Sequence, residues 1–428
     1  MSTKHSSNLL KSFQQLFPKD DIKYLSASLI IQLALGLFFG HVYDIRIFMA
    51  TGYQVATGHD PYILPDLRAV FRNPAFMGMT SIGYPPPWPL LLGLIYLLSY
   101  GLTQNILVYN LAIKLPIIIS NLWLAYLVRD VLQEHSRDAK ISRKAWVFLL
   151  FNPFLLYFTT AWGQFDSLVA LLTLAALITL HKGRLATSSI LLALAIALKP
   201  TPISVILVVI VYLWGAPWQR LLRYLATFTV SMLVFCVVPF FIFKWDARPI
   251  LQGWNAQFSV SGGLSLTTLY ELSAGTYQLP GNWWLLGFIW LPAIIIGALR
   301  MQKGDHGFVD LLKMSLAMIL IFFLTRAWLS EQNLVLILPI VLVLAYLAEL
   351  PGIVLSAVWI LPMIFTIFNT SPPQLLFPIL PELMNKLLQW MDGFRTVRLV
   401  TRMGIVIPWQ VAGWWMVFHS YKGTTTRI

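Results

Sequence analysis

Asp44 stands where an apolar run gives way, in FFGHVYDIRIFMATGYQVATGHDPY (38–62), with His41, Arg46, His59 and Asp60 close by. A carboxylate in that position has two readings. Asp is a common helix N-cap, and it is also a competent proton acceptor for general-base catalysis. His59, Asp60, Asp66, Arg68 and Arg72 read as solvated loop charges. Further polar residues recur at the ends of later apolar runs, in WGQFD (162–166), at Lys199 before Pro200 and Pro202, and in TRAWLSEQN (325–333). Gln164 is able to donate to and accept from a hydroxyl-rich ligand. Asp166 either caps the helix that follows it or touches that ligand. Lys199 either snorkels to the membrane boundary or meets a phosphate. Arg326 either pairs with Glu331 or captures a phosphate, for which a guanidinium fork is well shaped. Lys114 lies inside an apolar run, where a charge is a functional candidate by default; pairing with Asp44 or Asp166 is its other reading.

Several chemistries are absent. His41 and His59 have no partner spacing for zinc. Cys236 is the only cysteine, so neither an intrachain disulfide nor a Cys-based metal site can form. There is no Gly-rich phosphate loop, no Ser/His/Asp order and no nucleotide fingerprint.

The elements that must position these residues are membrane helices. The 428 residues are 58% hydrophobic and only 11% charged, against about a quarter charged in soluble domains. The apolar excess falls in blocks of helical-span length. They lie near 25–42, 105–128, 145–161, 167–181, 185–199, 201–215, 222–243, 283–299, 308–324, 333–348, 351–368 and 401–419. The formal charge of +13 does not indicate nucleic acid, because the basic residues sit between apolar blocks. Trp88, Trp146, Trp162, Trp214, Trp218, Trp245, Trp283 and Trp284 stand at block ends, as an interfacial belt does.

One stretch, YPPPWPLLLGLIYLLSY (84–100), is short and opens on three prolines. If it does not span, the basic loops 129–144, 181–184, 218–223 and 300–303 all share the side of the N-terminus, which satisfies the positive-inside rule. That reading gives about 12 transmembrane helices with both termini cytoplasmic and no cleavable leader. Residues 1–24 are then a cytoplasmic segment and 25–428 a single transmembrane domain, with external loops at 43–104, 244–284 and 369–400. Asp44, Gln164, Asp166, Lys199 and Arg326 all fall on the external face. Ile45, Phe48, Met49, Tyr53 and Ala56 make one helical stripe, so 44–57 is an amphipathic helix on the membrane surface, with Gly58 as its C-terminal cap.

The order of these parts resembles the GT-C superfamily of integral-membrane glycosyltransferases. The matching parts are an Asp just after the first span, a surface helix ending in Gly58-x-x-Pro61-Tyr62, and Tyr84-Pro85-Pro86. Asn152-Pro153, Gly163-Gln164-Phe165-Asp166, Lys199-Pro200 and the late Arg326 with Ser330-Glu331-Gln332-Asn333 follow. The order is similar to the family 87 mannosyltransferases and to the enzyme that adds the first mannose to GPI anchors. The resemblance implies an all-α polytopic GT-C fold and an inverting transfer on the non-cytoplasmic face. It implies a polyprenyl-phosphate sugar donor, with mannose as the hexose, and a glycolipid, glycan or protein acceptor. It gives Asp44 as catalytic base, Arg326, Lys199 and Lys114 as donor-phosphate ligands, and Tyr62, Tyr84, Gln164, Asp166, Glu331 and Gln332 as substrate contacts. The GPI enzyme carries an Asp-x-Asp pair here, whereas this chain has Val42 at the first position, so no divalent metal or other cofactor is expected. The expected location is the plasma membrane, or the endoplasmic reticulum in a eukaryote.

Two rivals share the composition. A transporter or flippase places charges at the midplane on broken helices of an internal repeat, and no repeat is visible. A ligase or polymerase of lipid-linked glycans shares the external basic site and differs in its diphosphate leaving group.

Overall fold

The computed structural model describes residues 19–136, 138–257, 260–303 and 306–425; most of the expected 1–24 segment, and Arg137 of the 129–144 loop, lie outside them. The chain is helical almost throughout. Its strands are a parallel two-residue pair, Gly262–Gly263 with Trp328–Leu329. Each of the twelve apolar blocks contains helix. Among the described residues five helical stretches are long and apolar enough to cross a bilayer: Asp21–Phe38, Ile106–His135, Ala139–Ala161, Trp218–Phe243 and Gly281–Leu299. Other apolar helices, such as Asp166–His181, Leu185–Leu198 and Glu331–Tyr346, are shorter.

Five elements frame the region around Asp44: α1 (Lys19–Phe38), α2 (Val42–Ala56), α3 (Pro87–Leu98), α4 (Ile106–His135) and α5 (Ala139–Phe151). Asn105 starts α4 by accepting from the N–H groups of Leu107 and Val108, a side-chain cap. Asn152 closes α5 and caps the next turn, accepting from Leu155 N–H at 3.0 Å, while Pro153 occupies the first helical position that tolerates it. The Asn-Pro dipeptide therefore ends one helix and restarts another. A π-helical turn over Leu156–Ala161 follows, a form found often near functional sites. It is held by Asn121 of α4, whose amide donates to Gln32, Thr159 and Thr160 at 2.8 to 3.0 Å. Such buried amide and hydroxyl contacts join helices in lipid, where the hydrophobic effect between helices is lost.

The ambiguous stretch 84–100 forms α3, packed along α2. Twelve helical residues rise about 18 Å, short of a hydrocarbon core of about 30 Å. Two glycines set the α2–α3 approach. A Cβ at Gly52 would stand 2.7 Å from the Leu92 carbonyl, and one at Gly93 would stand 2.4 Å from Val55 Cγ1. A helix is present where the 44–57 stripe placed one, running Val42–Ala56, and Gly58 follows it with φ +78°.

The tryptophan belt needs correction. Trp214, Trp218, Trp283 and Trp284 are exposed, but Trp88 and Trp146 are fully buried, and Trp162 and Trp245 nearly so. Trp88 stacks on Phe165, with ring centroids 4.1 Å apart. Trp146 packs under the Arg129 guanidinium at 5.0 Å. These indoles fill helix junctions rather than the lipid boundary.

The orientation is checked by thiol labelling. In a Cys236→Ser background, Ser273→Cys in the 244–284 loop should react with an impermeant reagent added to intact cells. Arg220→Cys should react only after permeabilisation. Labelling of Arg220→Cys from outside, with Ser273→Cys reacting only after permeabilisation, would reverse the orientation.

Candidate active site

The junction after α1 is pinned on two sides. Gly40 N–H donates to Leu375 O at 2.8 Å, and His41 N–H donates to Trp162 O at 3.1 Å. This brings the start of α2 against the turn that follows the π-helix. His41 is the N-cap residue of α2, and Asp44 lies in the first turn without a cap hydrogen bond. Asp44 Oδ2 instead accepts from Trp162 Nε1 at 2.6 Å and lies 3.2 Å from His41 Nδ1. The His41 ring stacks on the Trp162 indole at 3.9 Å. Burial pushes the Asp44 carboxyl up, but His41, Trp162 and Gln164 outweigh it, and its pKa ends below the ordinary carboxylate value. The Asp44 side chain remains 17% exposed.

Asp44 opens into a cavity of about 670 Å³, lined also by Tyr43, Thr80, Ser81, Tyr84 and Tyr277. That volume is within the range of small-molecule sites. Tyr84 O–H donates to Gln164 Oε1 at 3.4 Å. Burial together with the Asp44 and Asp166 charges pushes the Tyr84 phenol well above its ordinary pKa, so it stays neutral. Gln164 rests on a Gly163 turn with φ +105°, where an added Cβ would come within 2.6 Å of Ile45 Cδ1. Glycine is required there on both counts.

Asp166 and Lys199 meet behind Tyr84. Asp166 opens α6 (Asp166–His181) but is not its cap, which is Phe165. Lys199 ends α7 (Leu185–Leu198). Lys199 Nζ donates to both Asp166 oxygens, at 2.8 and 2.9 Å, and both side chains are buried. Lys199 also lies 5.8 Å from the Tyr84 ring centre. It neither snorkels nor stands free; two of its three donors are taken.

Other expected contacts lie apart from the cavity wall. Lys114 pairs with neither Asp44 nor Asp166. Its Nζ donates to the carbonyls of Phe39 and Ala161. Tyr62 is buried, stacked on Phe240, and braces the Tyr84 carbonyl by a 3.2 Å hydrogen bond. Arg326 does not line the cavity. It precedes Trp328, which pairs with Gly262, and Val260 beside that strand lines the cavity. Among the described residues no carboxylate pairs with Arg326, and the expected Glu331 ion pair is not formed. Its guanidinium lies 5.0 Å over the Phe322 ring, and burial brings its pKa down to about 10. Glu331 is buried and Gln332 half-buried. Two groups unremarked in the sequence stand near this segment: Arg402 lies 3.9 Å from Glu271, and both act electrostatically on Glu331. Asp60 is no mere solvated charge. Its carboxylate accepts from Tyr62 N–H and Asp246 N–H, joining the first loop to the 244–284 loop. Asp66 and Arg68 form the exposed pair that loop charges do. Among the described residues no three His, Cys, Asp or Glu side chains gather as a metal site.

The fold and cavity define an almost wholly helical membrane protein with a carboxylate in the wall of a cavity. The sequence model of glycosyltransferase family 87 matches residues 83–348, more than half of the chain, and the chain belongs to that family. It is therefore a glycosyltransferase. The matched span holds Tyr84, Gln164, Asp166, Lys199 and Arg326 but starts after Asp44 and Tyr62. No curated protein matches the chain.

The Trp162 contact gives a pH prediction. A carboxyl with a depressed folded pKa contributes stability that is complete above its ordinary value near 4 and lost as pH falls through the lower folded value. Trp162→Phe keeps the stacking ring and removes the Nε1 donor. The Asp44 pKa should then rise, read directly by NMR titration of its carboxyl, and the acid edge of stability should move to higher pH. An unmoved carboxyl pKa would show that the indole does not hold the carboxylate.

Proposed function

We propose that the protein is a GT-C-type transferase that moves a hexose, best read as mannose, from a polyprenyl-phosphate donor to a glycolipid, glycan or protein hydroxyl. The observation that carries this reading is the Asp44 carboxylate, free of any capping role, held by Trp162 and facing a cavity in a family 87 chain. Asp44 takes the proton of the acceptor hydroxyl as its oxygen attacks C1 of the donor sugar. The C1–O bond to phosphate breaks, configuration inverts, and the polyprenyl phosphate leaves with an added negative charge. Arg326 is a cation that no carboxylate offsets among the described residues, and it receives that phosphate. A guanidinium with a pKa near 10 is still charged at neutral pH. Lys199 is held by Asp166 and has one donor left for the same oxygen cluster. Tyr84 and Gln164 supply neutral hydrogen bonds to sugar hydroxyls. The reading places the site outside the plasma membrane, with both termini inside and no metal.

Asp44→Asn separates base from scaffold. Asn keeps the shape and an oxygen able to accept from Trp162 Nε1, but it takes no proton. Transfer should fall by on the order of 10²–10⁴-fold, with donor binding retained. Transfer within a few-fold of wild type would remove Asp44 from the chemistry. Arg326→Ala should weaken donor binding, and Arg326→Lys should recover only part of it, because a point charge does not reproduce the fork. Equal donor binding by wild type and both variants would mean that another cation holds the phosphate.

A further inference from the structure

A second cavity, of about 660 Å³, lies at the other end of α1 and α5. Its charged lining is Lys140, Arg143 and Lys144, and its remaining lining, including Tyr24, Val147 and Phe148, is aromatic or aliphatic. We propose that this groove binds an anionic glycerophospholipid, with the phosphodiester on the three cations and an acyl chain along Val147 and Phe148.

No acid lines the groove. Asp21 is buried behind it, with Arg129 Nη2 and Arg143 Nε each 2.8 Å from its oxygens. This contact, and the Tyr24 ring 5.6 Å away, fix the Arg143 guanidinium through Nε. Among the described residues Lys140 and Lys144 have no carboxylate partner. They stand one turn apart on α5 with Arg143 between them, and like charges at that spacing repel. A bound anion relieves that repulsion. The lining then changes along α5 from cationic to apolar within one turn, which suits an amphiphile and not a free phosphate. The twenty residues of α1 rise about 30 Å, the thickness of the hydrocarbon core. The groove is therefore at the opposite membrane boundary from Asp44 and is not the donor or acceptor site. Basic pockets between helices at a cytoplasmic boundary meet the anionic leaflet.

The test uses the full chain in neutral detergent, with phosphatidylglycerol or phosphatidylcholine of matched acyl chains, read by native mass spectrometry. Wild type should retain phosphatidylglycerol at least about fivefold over phosphatidylcholine, and high salt should reduce the ratio. K140Q/K144Q should bring the ratio toward one; Arg143 is left in place because it holds Asp21. Millimolar inorganic phosphate should not displace the lipid. Equal retention of both lipids by wild type would overturn the proposal. So would an unchanged preference in K140Q/K144Q, or displacement by inorganic phosphate, which would make the groove a soluble-anion site. Should the variant fail to fold, the wild-type lipid ratio and its salt dependence decide alone.

Discussion

A single buried ammonium joins the two helix ends from which the site is built. Helices leave carbonyls unpaired at their C-termini, and lipid offers no water to satisfy them. Lys114 Nζ donates to Phe39 O at the end of α1 and to Ala161 O at the end of the π-turn. Asn110, one turn earlier on α4, donates to Gly36 O, Leu37 O and Phe39 O at 2.8 to 3.1 Å. A cation at a helix C-terminus is also favoured by the helix dipole. With the two ends tied to α4, His41 and Trp162 stack, and Asp44 meets the Trp162 indole. An intramembrane lysine that looks like a substrate ligand thus acts on the site through the backbone.

The cluster is organised by unequal pairing of charge. Asp166 and Lys199 offset each other in a buried bidentate pair, and such a pair is costly to break by removing one partner. Their joint contribution is the placement of Tyr84 and the 163–166 turn. Asp44 lies in the cavity wall against His41 and Trp162, and among the described residues no carboxylate offsets Arg326, which lies over the Phe322 ring. The parallel pair Gly262–Gly263 with Trp328–Leu329 secures the Arg326 side. Ala327 O accepts from Ser265 and Thr267 hydroxyls at 2.7 and 2.6 Å, and a Cβ at Gly263 would stand 1.8 Å from Leu329 O.

Much of this was legible in the sequence because its signals are local. Apolar blocks marked the helices, the 45–56 stripe marked α2, and three prolines marked α3 as a short, separate element. Residues at helix ends identified Asp44, Gln164, Asp166, Lys199 and Arg326, and the structure gathers the first four around Tyr84. Pairing was not legible, because it depends on which helix ends meet. Trp162 counted as one of the belt tryptophans, although it directly precedes the Gly163–Asp166 motif and supplies the Asp44 hydrogen bond. His41 was weighed only as a zinc ligand, and its i,i+3 spacing to Asp44 was the missed signal. Arg402 and Glu271 come from distant segments, and no spacing between them predicts their approach.

The most direct test is the identity of the lipid released on turnover. Purified wild-type protein would be given polyprenyl-phosphate mannose and an acceptor glycolipid, and the products resolved by mass spectrometry. The account predicts one polyprenyl monophosphate released for each mannose transferred, with inverted configuration at the new bond. Consumption of a polyprenyl-diphosphate glycan instead, with no release from any monophosphate donor, would contradict it.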